Sequence, residues 1–184
     1  MTIAQKVLFI DRDGVLNEDP KETYYVHNIS EFKLIDKALA AIQKLKATGF
    51  LAMVISNQAG IGKGEVMQSD LDQITQVMHN AFKVLGVQLD GVYYCPHKSD
   101  AGCDCRKPLP GLLKQATMGI AVDKEGSYMI GDSQKDVLAG HAFGIKAILV
   151  LTGKTQLIEV QNWSDQPDFI ANDFEEAATW ILAN

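Results

Sequence analysis

Apolar residues come in short, dense runs along this chain, and stretches with helical spacing separate the runs. Val7–Ile10, Phe50–Ser56, Gly91–Tyr94, Ser127–Ile130 and Ala147–Leu151 read as strands, apolar enough to be covered on both faces. Between them, Leu39, Ile42 and Leu45 form one helical stripe. Leu71, Ile74, Val77, Met78, Phe82 and Leu85 form another, preceded by Ser69 and Asp72 in capping-box positions. Leu112, Leu113 and Ala116 mark a third. A short helix over about Gln134–Ala142 is expected to stop at Gly144 in a left-handed cap. Asp173 with Glu176 is expected to cap a last helix carrying Phe174, Ala177, Ile181 and Leu182. Strands alternating with helices predict an α/β fold: a doubly wound (Rossmann-like) parallel sheet in a three-layer sandwich. Residues 1–184 are read as a single domain, with no segment long enough for a large cap domain.

In such sheets ligands bind at the carboxyl ends of the strands, and there the pattern turns abruptly polar. The first strand runs into Asp11-Arg12-Asp13-Gly14, the second into Ser56-Asn57-Gln58, and the fourth into Gly131-Asp132, with Asp136 following. Arg106-Lys107-Pro108 comes after the third. Singly, each group reads as a turn residue, a cap or a solvated charge. Together, on successive strands, they describe one rim carrying carboxylates, a hydroxyl and two cations. Clustered carboxylates suit a hard divalent cation such as Mg²⁺. A phosphate fits between that cation, Lys107 and the backbone N–H groups near Ser56-Asn57. Asp11 is then placed to attack phosphorus, and Asp13 to protonate the leaving oxygen and later activate water.

Composition narrows the partners. Hydrophobic residues make up 47% and charged residues 22% of the chain, as in an ordinary globular protein. The net charge of −6, with no basic stripe, argues against nucleic acid. No apolar run is long enough to cross a bilayer, and MTIAQK leads into a strand without a signal-peptide pattern. A cytoplasmic monomer acting on a small phosphorylated molecule is expected.

All three cysteines fall between positions 95 and 105, which is no disulfide framework. With His97 they make a Cys₃His set, Cys95, His97, Cys103 and Cys105, sufficient for a closed tetrahedral Zn²⁺. The ion would staple a loop poor in large apolar residues that leads directly into Arg106-Lys107. Of the other histidines, His27 is a candidate for touching substrate, while His79 and His141 fall in helical patterns.

The segments DRDG, SNQ, RKP and GDSQKD resemble, in order and spacing, the four motifs of the haloacid-dehalogenase-like phosphohydrolases. The resemblance covers nearly the whole chain. It implies Asp11 as nucleophile, Asp13 as general acid/base, and Ser56 and Lys107 as phosphate ligands. It further implies Mg²⁺ held by Asp11, the Asp13 carbonyl and Asp132, with Asp136 in support. The segment YYCPHKSDAGCDCRKPLPGLL resembles the zinc-containing, minimally capped subgroup. Within it, one branch acts on a heptose bisphosphate in carbohydrate metabolism, for the lipopolysaccharide core, and another on histidinol phosphate. YVHNISEFKLI, NQAGIGKG and LVLTGK favour the first; the residues around DPKETYY depart from its commonest pattern. By position, Asp19, Tyr25, Asn57, Gln58 and Arg106 are candidates for binding substrate, with Lys63 and Lys154 as further cations for a second phosphate. Asp13, two residues after the nucleophile, separates a turnover enzyme from a phospho-acceptor binding module.

Overall fold

The computed structural model describes residues 3–184, Glu22 by its backbone alone, so the first two residues of the expected 1–184 domain lie outside the described part. In chain order the elements are β1 (Val7–Ile10), α1 (Asp36–Lys46), β2 (Leu51–Asn57), α2 (Ala59–Lys63), α3 (Gln68–Val84), β3 (Gly91–Cys95), α4 (Gly111–Ala116), β4 (Tyr128–Gly131), α5 (Gln134–Phe143), β5 (Lys146–Val150), α6 (Leu157–Val160), β6 (Phe169–Ala171) and α7 (Phe174–Ala183). The strands form one parallel, six-stranded sheet in the order β3-β2-β1-β4-β5-β6.

Side-chain alternation along the strands builds the layers. Leu8 and Ile10 of β1 face the cluster that holds Leu39, Ile42 and Leu45 of α1, Ile74, Met78 and Phe82 of α3, and Phe174, Ala177 and Ile181 of α7. Val7 and Phe9 face the other cluster, with Leu112, Leu113 and Ala116 of α4 and Val137 and Ala139 of α5. All of β1 is buried, because it is central and covered twice. The expected doubly wound three-layer sandwich is therefore the observed fold.

Local details differ from the sequence reading. The five expected strands lie within a residue of their predicted ends. Edge strand β6 was not predicted. Helix α3 starts at Gln68 behind an extended Met67 with no side-chain cap, so Ser69 and Asp72 form no capping box. Asp72 instead accepts from the Gln68 amide, one turn before it. At the other helices the expected caps are present. Asp173 accepts from the Glu176 N–H, and α5 ends at Gly144 with φ +84°.

Candidate active site

β1 sets the site. Its pairing with β4 continues one residue past the strand, where the Asp11 N–H donates to the Ile130 carbonyl at 2.9 Å. That bond fixes the Asp11 backbone on the sheet rim. The chain then turns: the Arg12 carbonyl accepts from Leu16 and Asn17, and Gly14 adopts φ +80°. A side chain at Gly14 would strike the Asp132 carboxylate, as would one at Gly153. The two glycines make the room that Asp132, at the end of β4, occupies.

Lys107 joins the strand ends. Its buried ammonium donates to the Ile55 carbonyl at 2.8 Å and to Asp136, and lies 2.9 Å from Asp11 Oδ1. Burial disfavours its charge, but Asp11 and Asp136 outweigh that and hold the lysine above its ordinary pKa. Asn57 fixes the Lys107 backbone in both directions, its Nδ2 donating to the Lys107 carbonyl and its Oδ1 accepting from the Lys107 N–H. Asp136 caps α5 through Ser133 with its other oxygen. Burial raises the Asp11 carboxyl to about 6, with Lys107 opposing and Asp136 and Asp13 adding. Burial and the neighbouring Asp11 and Asp136 raise Asp132 to about 8.

Asp13 differs. Despite its burial, the Arg12 guanidinium and the Asn17 and Gln58 amides hold its carboxyl below the ordinary range.

These groups open onto a cleft of about 250 Å³. Asp11, Asp13, Ser56, Asn57, Lys107 and Asp132 line it, with Tyr25, Arg106 and Lys154. Tyr24, Ser133 and Lys135 also line it, and sequence reasoning missed all three. For Ser133 and Lys135 a signal existed: they follow Asp132 into the first turn of a helix that starts at the rim. Tyr24 shares the loop of Tyr25 but has an unusual φ of +60° that sequence does not announce. Four candidates for touching substrate, Gln58, Asp19, Lys63 and His27, do not line the cleft. Gln58 is buried behind it, bonded to Asp13 and Ser56, and Asp19 is nearly buried, 3.9 Å from the Lys154 ammonium. Lys63 packs over the Tyr25 ring, and His27 pairs with Glu31.

The rim fits a hard divalent cation. One oxygen from each of Asp11, Asp132 and Asp136 falls within 4.8 Å of the others. Asp136 is already bonded at both oxygens, by Lys107 and by Ser133. That leaves Asp11 and Asp132, whose raised pKa values mark crowded negative charge, to meet such an ion beside backbone oxygens and water.

Cys95, His97, Cys103 and Cys105 also converge. Their donor atoms lie 3.6 Å (Cys95–His97), 3.7 Å (Cys95–Cys103), 3.2 Å (His97–Cys105) and 3.1 Å (Cys95–Cys105) apart. Bonds of about 2.3 Å around a tetrahedral zinc separate sulfurs by about 3.8 Å, so a small outward adjustment admits the ion. The thiols are free, and burial with the neighbouring thiols pushes Cys105 up to about 12. The loop is pinned at its base, where Gln58 and Gly62 N–H groups donate to the Cys95 and Pro96 carbonyls. Arg106 donates back to the His97 carbonyl.

Known proteins align with this arrangement. The hydrolase family described as HAD-hydrolase-like matches residues 104–177. A D-glycero-beta-D-manno-heptose-1,7-bisphosphate 7-phosphatase of Pasteurella multocida is 43% identical over 82% of this chain and 84% of its own. One of Yersinia pestis is 36% identical over 99% of this chain and 92% of its own. The crystal structure of a D,D-heptose 1,7-bisphosphate phosphatase from B. bronchiseptica, complexed with magnesium and phosphate, superposes with a TM-score of 0.87 at 30% identity, covering 97% of this chain and 99% of that one.

Proposed function

The chain belongs to the D-glycero-beta-D-manno-heptose-1,7-bisphosphate 7-phosphatases among the haloacid-dehalogenase-like hydrolases, and from that membership we propose how its residues divide the reaction. It is a phosphoric monoester hydrolase that removes the 7-phosphate of D-glycero-D-manno-heptose 1,7-bisphosphate. The observation that carries the chemistry is the Asp11 carboxylate, held by Lys107 beside Asp132 on the cleft wall.

Asp11 Oδ1 is taken by the Lys107 ammonium and the Arg12 N–H, so Oδ2 is the nucleophile. It attacks phosphorus and the bond to the sugar's 7-oxygen breaks; that oxygen takes a proton from Asp13, which has first to take one up from water in the cleft, against the donors that favour its ionised form. Lys107 and the Ser56 hydroxyl hold the phosphoryl oxygens. Asp13 next takes a proton from water, whose oxygen attacks the aspartyl phosphate. The phosphorus–oxygen bond to Asp11 breaks, and its electron pair returns to the carboxylate. Asp11, Asp132 and the Asp13 carbonyl would hold Mg²⁺, which would neutralise charge on the phosphoryl group. Lys107, with Asp136 behind it, does the same from within the protein. Cys95, His97, Cys103 and Cys105 would hold Zn²⁺ in a structural role, since four protein donors would fill its coordination. Arg106 and Lys154, both on the cleft wall, are the cations for the second phosphate, and Tyr25 meets the sugar.

No helix among the described residues is long and apolar enough to cross a membrane, and free thiols fit a reducing cytoplasm. Rates on heptose bisphosphate and histidinol phosphate, measured side by side with Mg²⁺, test the substrate. A kcat/KM about tenfold or more higher on the heptose supports it. A preference for histidinol phosphate replaces the substrate and leaves the Asp11 chemistry standing.

A further inference from the structure

We propose that Arg12 is a positioning residue: its guanidinium fixes the Asp13 carboxylate in the orientation that receives the proton of the attacking water. The inference rests on the phosphatase reading above and assigns a role to a residue that reading leaves unused.

Arg12 is fully buried, although it sits between two rim carboxylates. Its Nε and Nη2 both donate to Asp13 Oδ1, at 3.1 and 2.9 Å, and Nη2 also reaches Oδ2 at 3.0 Å. Two amides complete the cradle. Asn17 Nδ2 donates to Oδ1 and Gln58 Nε2 to Oδ2, each at 3.0 Å. The fork is itself held. Nη2 donates to Gln58 Oε1 at 3.2 Å, and the guanidinium carbon lies 5.7 Å from the centre of the Tyr94 ring and 5.9 Å from that of Phe32.

Stability does not account for this arrangement. A buried ion pair seldom outperforms an apolar pair of the same shape, and here Nη1 is left buried with no hydrogen-bond partner among the described residues. What the fork does provide is a planar, rigid seat for one carboxylate, which a flexible ammonium would not reproduce. Asp13 is the group whose direction matters twice per turnover.

Arg12→Lys keeps the charge and removes the fork; Gln58→Met removes one amide of the cradle and is the second variant should the first not fold. Both are assayed on 4-nitrophenyl phosphate with Mg²⁺, after a circular-dichroism melt. Nitrophenolate leaves without a proton, so phosphorylation of Asp11 does not need Asp13 and hydrolysis of the aspartyl phosphate does. The expected result is a kcat lower by about a hundredfold, with kcat/KM changed by less than about tenfold and a burst near one nitrophenolate per enzyme. Equal losses in kcat and kcat/KM, or no loss in either, overturn the proposal. A wild-type enzyme that releases phosphate from none of 4-nitrophenyl phosphate, heptose bisphosphate and histidinol phosphate overturns the phosphatase reading itself, and this inference with it.

Discussion

The acidic rim and the cysteine–histidine loop each gather donors for a cation, yet they are built in opposite ways. The rim collects Asp11, Lys107, Asp132 and Asp136 from distant parts of the chain, and the ends of β1 and β4 hold two of its carboxylates in place. It carries its own counter-ion, since the Lys107 ammonium satisfies Asp11 and Asp136 together. The loop collects Cys95, His97, Cys103 and Cys105 from neighbouring positions and contains no large apolar residue to pack. Its thiols meet one another and His97, with Cys95 set into the apolar layer under α4. The rim is therefore expected to be formed before its metal arrives, and the loop, anchored to the sheet through Cys95 alone, to gain its order from its metal. The two meet at Arg106-Lys107, where the loop delivers the lysine that the rim requires.

The largest expected effect separates chemistry from scaffold at the rim. Asp11→Asn removes the proposed nucleophile and should lower kcat by about 10⁴-fold or more. Because the sheet, not the carboxylate, makes the rim, the melting temperature should not fall and the zinc content should stay as in the wild type. Loss of zinc or of folded structure in this variant would break the distinction between the two regions.

Next comes the loop. Cys105→Ser would leave the proposed zinc one thiolate short, and zinc per chain, read by atomic absorption, should drop. Lys107 and Arg106 follow directly in sequence, so their displacement should cost about a hundredfold in kcat/KM, with KM for the bisphosphate rising. Full activity in a zinc-free protein would show that the bonds of Asn57 to the Lys107 backbone are enough to place the lysine.

How far each region could be read from sequence follows from the same contrast. The loop is a local pattern, and its donors were legible from spacing. The rim was legible through β1, whose apolar run stops at Asp11, and through the polar ends of the neighbouring strands. What escaped were side-chain directions at the turns. Ser56, Asn57 and Gln58 are consecutive, but Ser56 meets the cleft, Asn57 turns to the Lys107 backbone, and Gln58 goes beneath to Asp13. Nothing in a run of polar residues distinguishes these. β6 has only Phe169–Ala171, too short for an alternation to register, and α2 contains Gly60 and Gly62, poor helix formers. Gly62 is required by packing, since a Cβ there would strike the Pro96 carbonyl at the base of the loop.

The smallest effect is one of sign. Asp132 is pushed up to about 8 in the folded protein from an ordinary value of 3.8. Between those values the folded state binds more protons than the unfolded one, so stability falls as pH rises. Mg²⁺-free protein should therefore gain stability as pH is lowered from about 8 to about 6, as protons take the place of the cation. The loop responds in the opposite direction, because zinc needs deprotonated thiols and acid loosens it. Asp132→Asn isolates the rim's share, since the loop is the same in both proteins. The variant should melt about 3 °C above wild type at pH 8 without Mg²⁺, on the order of 1 kcal/mol, and the gap should close toward pH 6. Adding Mg²⁺ at pH 8 should raise the wild type and leave the variant almost unmoved. Parallel melting curves for the two proteins across this range would mean that the carboxylates do not crowd one another at the rim, and the contrast between a preformed site and a metal-formed one would lose its electrostatic half.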